Sequence, residues 1–393
     1  MATPGTRLDL ALMRRPALAA VVALALGTLL GPLGLRVLRP QMLDDGVPIE
    51  SVSEIALLIC LFCLGLRLRM PMQWRLWRIP LRLATLTMLA TAALAAAAAH
   101  LMFDMSLAQA LLLGAIVAPT DSVLAAEAGA PAEGEEAPSF VLSAESGINN
   151  GLATVMVLLV LGLMGLDDSD SAALSSISLA TLWAAAGGAA VGWLMGACSA
   201  RWITLLDPER QTDFLEETLV FAAAAIAYGA ALAIRTDGFI AVFAAGVALS
   251  HGGRVRRPMR NRPLMPRVLR ISARLERLAW LAVILVLGTL IASVELHARM
   301  LVFAAVLLLV IRPLAVRLGL GSVAVPEAPW RVIAWFPARG VACLYCLAFA
   351  VNHGLSGPFA RQLSGVTLVV VVCSILAGCI GALPLSRPTQ PAL

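Results

Sequence analysis

Apolar residues run in long blocks along this chain instead of alternating with polar ones, and the blocks recur from one end to the other. Limits set by charge, proline or glycine predict helices at 16–35, 52–68, 83–102, 107–125, 138–163, 173–196, 214–234, 237–251, 277–293, 299–319, 330–351 and 364–384. At about 1.5 Å of rise per residue, a helix of roughly 20 residues crosses about 30 Å of hydrocarbon. A soluble helical core would need polar faces on its outer helices, and the blocks at 84–99, 219–234 and 301–311 have none. The pattern predicts an all-α integral membrane protein with about 12 transmembrane helices.

Composition points the same way. Only 13% of residues are charged and 60% are hydrophobic, whereas a soluble domain carries about 25% charged residues. The first apolar block follows Arg14-Arg15 and runs into Gly31-Pro32-Leu33-Gly34, so it reads as a retained span and not as a cleaved signal peptide.

Charge supplies an orientation, because short cytoplasmic loops hold the arginine and lysine excess. All 29 basic residues are arginine, for a net charge of +5. They gather at Arg7, Arg14 and Arg15, then at Arg69, Arg75, Arg78 and Arg82, then from Arg254 to Arg274. Intervening gaps are acidic or nearly neutral, with Asp44 and Asp45, Asp104, then Asp167, Asp168 and Asp170, and Glu295. Glu133, Glu135 and Glu136 fall on the inner side, where acidic residues weigh little. Both termini therefore read as cytoplasmic: 1–15 as an N-terminal segment, 16–385 as the transmembrane domain, 386–393 as a short tail. Within that domain, 252–274 reads as a basic cytoplasmic linker that meets anionic lipid headgroups.

Other chemistries find little support. Nucleic-acid binding would need a soluble basic module. Cys60 and Cys63, like Cys343 and Cys346, have CxxC spacing but apolar surroundings and no further ligands, so they read as packing residues and not as a metal or redox site. The four histidines sit at span ends. No cofactor and no enzymatic reaction are expected.

A charge inside hydrocarbon costs roughly 2.5–3.5 kcal/mol even on insertion scales, so the polar residues within spans carry the functional information. Ala118-Pro119-Thr120-Asp121-Ser122 interrupts an apolar block, and proline there should break the helix and expose backbone groups that serve a cation together with Thr120 and Asp121. A kink with Asp121 bonded to freed amides of a neighbouring broken helix explains the same residues. In Glu145-Ser146-Gly147-Ile148-Asn149-Asn150-Gly151, Glu145 shares a helix face with Asn149, and Ser146 with Asn150. Glu145 calls for a cationic partner, for which Arg312 and Arg339 are the candidates. Asp237 reads as a turn or cap residue.

These clusters, with Asp237-Gly238-Phe239-Ile240-Ala241-Val242-Phe243-Ala244-Ala245-Gly246 and Trp335-Phe336-Pro337-Ala338-Arg339-Gly340, resemble the membrane domain of the monovalent cation:proton antiporter superfamily, of the sodium/proton exchanger type. The resemblance implies inverted repeats with discontinuous crossing helices, a scaffold bundle and a mobile core bundle, a homodimer, and exchange of Na⁺, K⁺ or Li⁺ for protons across a bacterial inner membrane. It assigns Thr120 and Asp121 to the crossing, Ser146, Asn149 and Asn150 to the ion site beside Asp121, and Glu145 to an ion pair with Arg312. Arg339 matches a further core arginine. By the same comparison, the chain is expected to lack the helix preceding the first span and a long regulatory tail.

One departure bears on mechanism. Where these exchangers carry Asn-Asp or Asp-Asp, this chain has Asn149-Asn150, and an amide can ligate a cation but cannot titrate. Asp121 then becomes the first candidate for the titrating group and Glu145 the second. The alternatives are a transporter on the same scaffold with altered coupling or substrate, and a non-transporting membrane protein that senses ions or binds a partner.

Overall fold

The computed structural model describes residues 16–68, 71–121, 138–165, 174–205, 213–252, 264–321, 323, 333–335 and 338–385. Among these, and with short π-helical turns merged into their parent helices, twelve helices follow in order. They are α1 (Pro16–Leu30), α2 (Gly46–Arg67), α3 (Trp74–Phe103), α4 (Leu107–Val117), α5 (Pro138–Leu163), α6 (Leu174–Leu205), α7 (Asp213–Ala233), α8 (Gly238–Gly252), α9 (Leu264–Ile291), α10 (Ala298–Leu320), α11 (Val341–Asn352) and α12 (Gly357–Leu385). Six of them, α2, α3, the 140–163 part of α5, the 182–203 part of α6, α10 and the 357–380 part of α12, are long and apolar enough to cross a membrane unaided.

Several helices begin earlier than the apolar blocks do, and in each case the extra turns hold polar groups that find partners. α2 starts at Gly46 instead of 52, and Glu50 in the added turns bonds Asn352. α3 starts at Trp74 instead of 83, and Arg82 Nη1 donates to the Leu320 carbonyl at 2.9 Å. α9 starts at Leu264, within the stretch read as a linker, where Arg267 lies 3.7 Å from Glu217 and buried Glu276 pairs with Arg67. Residues 1–15, 253–263 and 386–393 lie outside the described ones.

Local chemistry sets the helix ends nearest the site. Ser106 and Gln109 form a reciprocal capping box at the start of α4, satisfying two amides that the first turn would otherwise strand. Asp237 is a capping residue, its Oδ1 accepting from the Ile240 amide at 2.7 Å at the start of α8.

The helices sort into two bundles. α9 packs on α1 and α2, and α8 packs on α2 and α6, with α7 beside them. α3 packs on α4, α5 and α10, and α10 packs on α12. α11 touches both groups, reaching α2 on one side and α4, α5 and α12 on the other. Where lipid tails are as apolar as the helices, close backbone approach takes over from hydrophobic burial as the packing force. Gly188, Gly192 and Gly196, one per turn of α6, lie against the backbone of Asp237, Ala241 and Ala245, and any side chain there would collide with it.

A repeat is visible in the second bundle. α3 and α10 each contain a π-helical turn, Leu83–Thr87 and Leu307–Ile311, and each precedes an interrupted helix. The two touch directly, since a Cβ on Gly319 would overlap Thr87. π-turns shift the phase of a helix and concentrate at functional regions; here the second immediately precedes Arg312.

Candidate functional site

Two helices give up their hydrogen-bond ladders in the middle of the bundle and meet there. α4 stops at Val117 because Pro119 has no amide to continue it, and the chain runs on non-helically to Asp121. On the facing side, residues 333–335 are helical, Ala338 to Gly340 are not, and α11 resumes at Val341. The interruptions join in an antiparallel bridge in which the Asp121 amide donates to the Ala338 carbonyl at 2.7 Å. Ser122, Phe336 and Pro337 lie outside the described residues.

Backbone polar groups that face no water must be satisfied internally, and side chains do this around the crossing. Arg339 Nε donates to the Val117 carbonyl at 3.0 Å, placing a cation at the carbonyl end of α4, where the helix dipole is negative. The Arg339 amide donates to Ser374 Oγ at 2.8 Å. The Cys343 thiol points at the Pro119 carbonyl at 3.7 Å, and Ser146 Oγ donates to the Thr120 carbonyl at 2.8 Å.

The polar face of α5 sits beside the break. Asn149 Nδ2 donates to Thr120 Oγ1 at 2.8 Å, and Asn150 Nδ2 donates to Ser146 Oγ at 3.4 Å. With both amide nitrogens engaged, the amide oxygens of Asn149 and Asn150 are buried without a hydrogen-bond partner among the described residues. An unsatisfied buried acceptor costs about 1–3 kcal/mol, and such oxygens are the groups that replace the water shell of a dehydrated alkali cation. Asp121 is buried next to Thr120, and its Oδ2 accepts from the indole of Trp280 at 3.1 Å. Gly340 makes room for this carboxylate, since a Cβ there would overlap the same oxygen.

The second carboxylate is differently placed. Glu145, fully buried, holds Arg312 Nη2 at 2.6 Å, and Arg312 is itself 2% exposed. Of the two arginines that the sequence offered as partners, Arg312 makes this contact and Arg339 braces the end of α4. Glu145 is thus engaged by Arg312, which leaves Asp121 as the carboxylate at the crossing.

Three contributors were not singled out from sequence. Trp280 and Ser374 look like ordinary members of apolar helices; only the position of Glu276, an acid one turn before Trp280 and just ahead of the apolar run, marks that stretch of α9. Arg67, Glu276's partner, falls at the end of the predicted span 52–68, next to the arginines that gave the orientation, and nothing local marks it as paired.

The sodium/hydrogen exchanger transmembrane family model matches residues 11–387. The chain belongs to that family. Among curated relatives of this exchanger-family chain, the K(+)/H(+) antiporter NhaP of Alkalimonas amylolytica is 29% identical over 336 residues, covering 83% of this chain and 55% of its own length. The K(+)/H(+) antiporter NhaP2 of Shewanella sp. (strain MR-4) is 27% identical over 349 residues, covering 85% of this chain and 57% of its own. The exchanger-family chain thus spans a little over half the length of these relatives. Among solved structures, the sodium proton antiporter MjNhaP1 from Methanocaldococcus jannaschii superposes with a TM-score of 0.74 at 20% identity, covering 93% of this chain and 91% of that one. This establishes the antiporter fold for a multi-pass membrane protein.

Proposed function

We propose that this chain exchanges a monovalent cation, K⁺ or Na⁺, for protons, with Asp121 as the group that cation and proton share. The observation that carries the reading is the conjunction at the crossing: a buried carboxylate at a broken helix, together with two buried amide oxygens that have no hydrogen-bond partner among the described residues. Thr120, Asp121, Ser146, Asn149 and Asn150 form the ion site, with the cation held by oxygens of Asp121, Asn149 and Asn150. Glu145 and Arg312 hold α5 to α10, and Arg339 stabilises the break. Exchange requires competition for one site, which is a linkage between two ligands and vanishes if nothing there titrates. The protein works as a homodimer in a bacterial inner membrane with both termini cytoplasmic, and arginines of 252–274 meet anionic lipid.

Proteoliposomes with an entrapped pH dye test this. Wild type moves protons in response to a K⁺ or Na⁺ gradient, and Asp121→Asn abolishes the movement; no proton movement with any monovalent cation would refute the reading. Altered coupling is the second reading, favoured by Asn149 and Asn150, whose amides can ligate a cation but cannot titrate. A gain of proton movement in Asn150→Asp over a weak wild type would support it.

A further inference from the structure

Trp280 and Asp121 stand on opposite sides of the division between the two bundles. Trp280 belongs to α9, which packs on α1 and α2, whereas Asp121 continues α4, which packs on α3 and α5. Trp280 is 1% exposed and the largest fully buried side chain among the described residues. It stands on a firmly held helix, because Glu276, one turn away on α9, is ion-paired with Arg67 of α2 within the same bundle.

The remaining surface around this contact is apolar. Val283, Ile284 and Leu287 of α9 face Gly340, Leu344 of α11 and Val371 of α12 across a crevice too narrow for water. Apolar surfaces slide past one another without directional loss, so a hydrogen bond set among them supplies the orientation that the surfaces lack. The acceptor is fixed as well, since Gly340 presses against the same carboxylate oxygen that the indole reaches.

We propose that Trp280 is a latch: its indole N–H holds the Asp121 carboxylate to the scaffold and lets it go when a transported ion takes that oxygen. This rests on the exchange reading given above. An indole N–H can only donate, so it neither takes the proton nor ligates the cation. A transported ion on the carboxylate competes for the oxygen that accepts the indole N–H, so loading Asp121 weakens the bond. Alternating access moves one bundle against the other around the site, and this bond must break for that motion. The latch therefore opposes movement of the unloaded carrier, the step that would let cations run downhill without protons returning. Trp280 is a positioning residue and sets how tightly the two fluxes are coupled.

Trp280→Phe keeps the ring and removes the donor. In proteoliposomes, the ratio of cation flux without proton counterflow to coupled exchange should rise about five- to tenfold, the factor one hydrogen bond is worth. Cation addition should also change the tryptophan fluorescence of wild type, and the change should be lost in both Trp280→Phe and Asp121→Asn. A folded Trp280→Phe with wild-type coupling overturns the latch. If that variant fails to fold, wild type against Asp121→Asn decides: a cation-dependent signal confined to wild type supports the bond, and no signal in wild type overturns it. Wild type that moves no protons refutes the exchange reading, while the fluorescence comparison still decides whether Trp280 senses the occupancy of Asp121.

Discussion

Removing the charge of Arg312 while keeping its bulk, as in Arg312→Met, isolates the role of the Glu145 ion pair. The two side chains are 0% and 2% exposed and meet at 2.6 Å, so neither can fall back on water. Breaking a buried pair from one side costs about 3–5 kcal/mol, because the remaining charge is stranded. That is roughly two to four orders of magnitude in the folded-to-unfolded ratio. Glu145→Gln strands the guanidinium in the same way, since arginine cannot shed its charge, and should cost about as much, even though Arg312 also lies 3.4 Å from the Ile333 carbonyl. Because Glu145 Oε2 and Arg312 Nε lack hydrogen-bond partners among the described residues, the pair is only partly compensated. Removing both charges together should therefore recover most of the loss, as neutral replacements of buried pairs often do. Unfolding of the purified protein in mixed micelles, read by circular dichroism for wild type, both single variants and Glu145→Gln/Arg312→Met, gives the coupling directly. An Arg312→Met variant as stable as wild type, or a double variant no better than the worse single one, would refute this account of the pair.

Two glycines give further tests. Gly340→Ala pushes a methyl group into the Asp121 carboxylate; exchange should fall by about a hundredfold, the usual consequence of misplacing a reacting group by an ångström, while yield stays near normal. Gly192→Leu forces α6 away from the α8 backbone at Ala241 and should cost at least the roughly 1–3 kcal/mol of an overpacked core. Gly229→Leu, at a position with open space around it, is the control and should leave melting unchanged.

The fold was legible because lipid imposes one rule on every span, and apolar length reports it. Helix ends differ from the apolar limits where the rule relaxes: Glu50 and Glu276 look like terminators in sequence but continue their helices because Asn352 and Arg67 meet them in space. The break at Pro119 was legible for a covalent reason, the missing amide. Its partner bridge at Ala338 was not, because nothing local in Trp335 to Gly340 states which residue its carbonyl will meet. Glu145 announced that it needed a cation, yet the choice between Arg312 and Arg339 depended on where α10 and α11 stand. Trp280 stayed hidden because an indole in an apolar helix satisfies the same pattern whether or not its N–H has work to do.

The bridge between Asp121 and Ala338 also constrains how the protein is made. Its donor leaves the ribosome roughly two hundred residues before its acceptor, an interval of about 10–40 s at ordinary elongation rates. Throughout that time the early half sits in the bilayer with an open backbone seam, so nascent chains halted before residue 338 should cling to membrane-resident chaperones and those halted after residue 352 should let go.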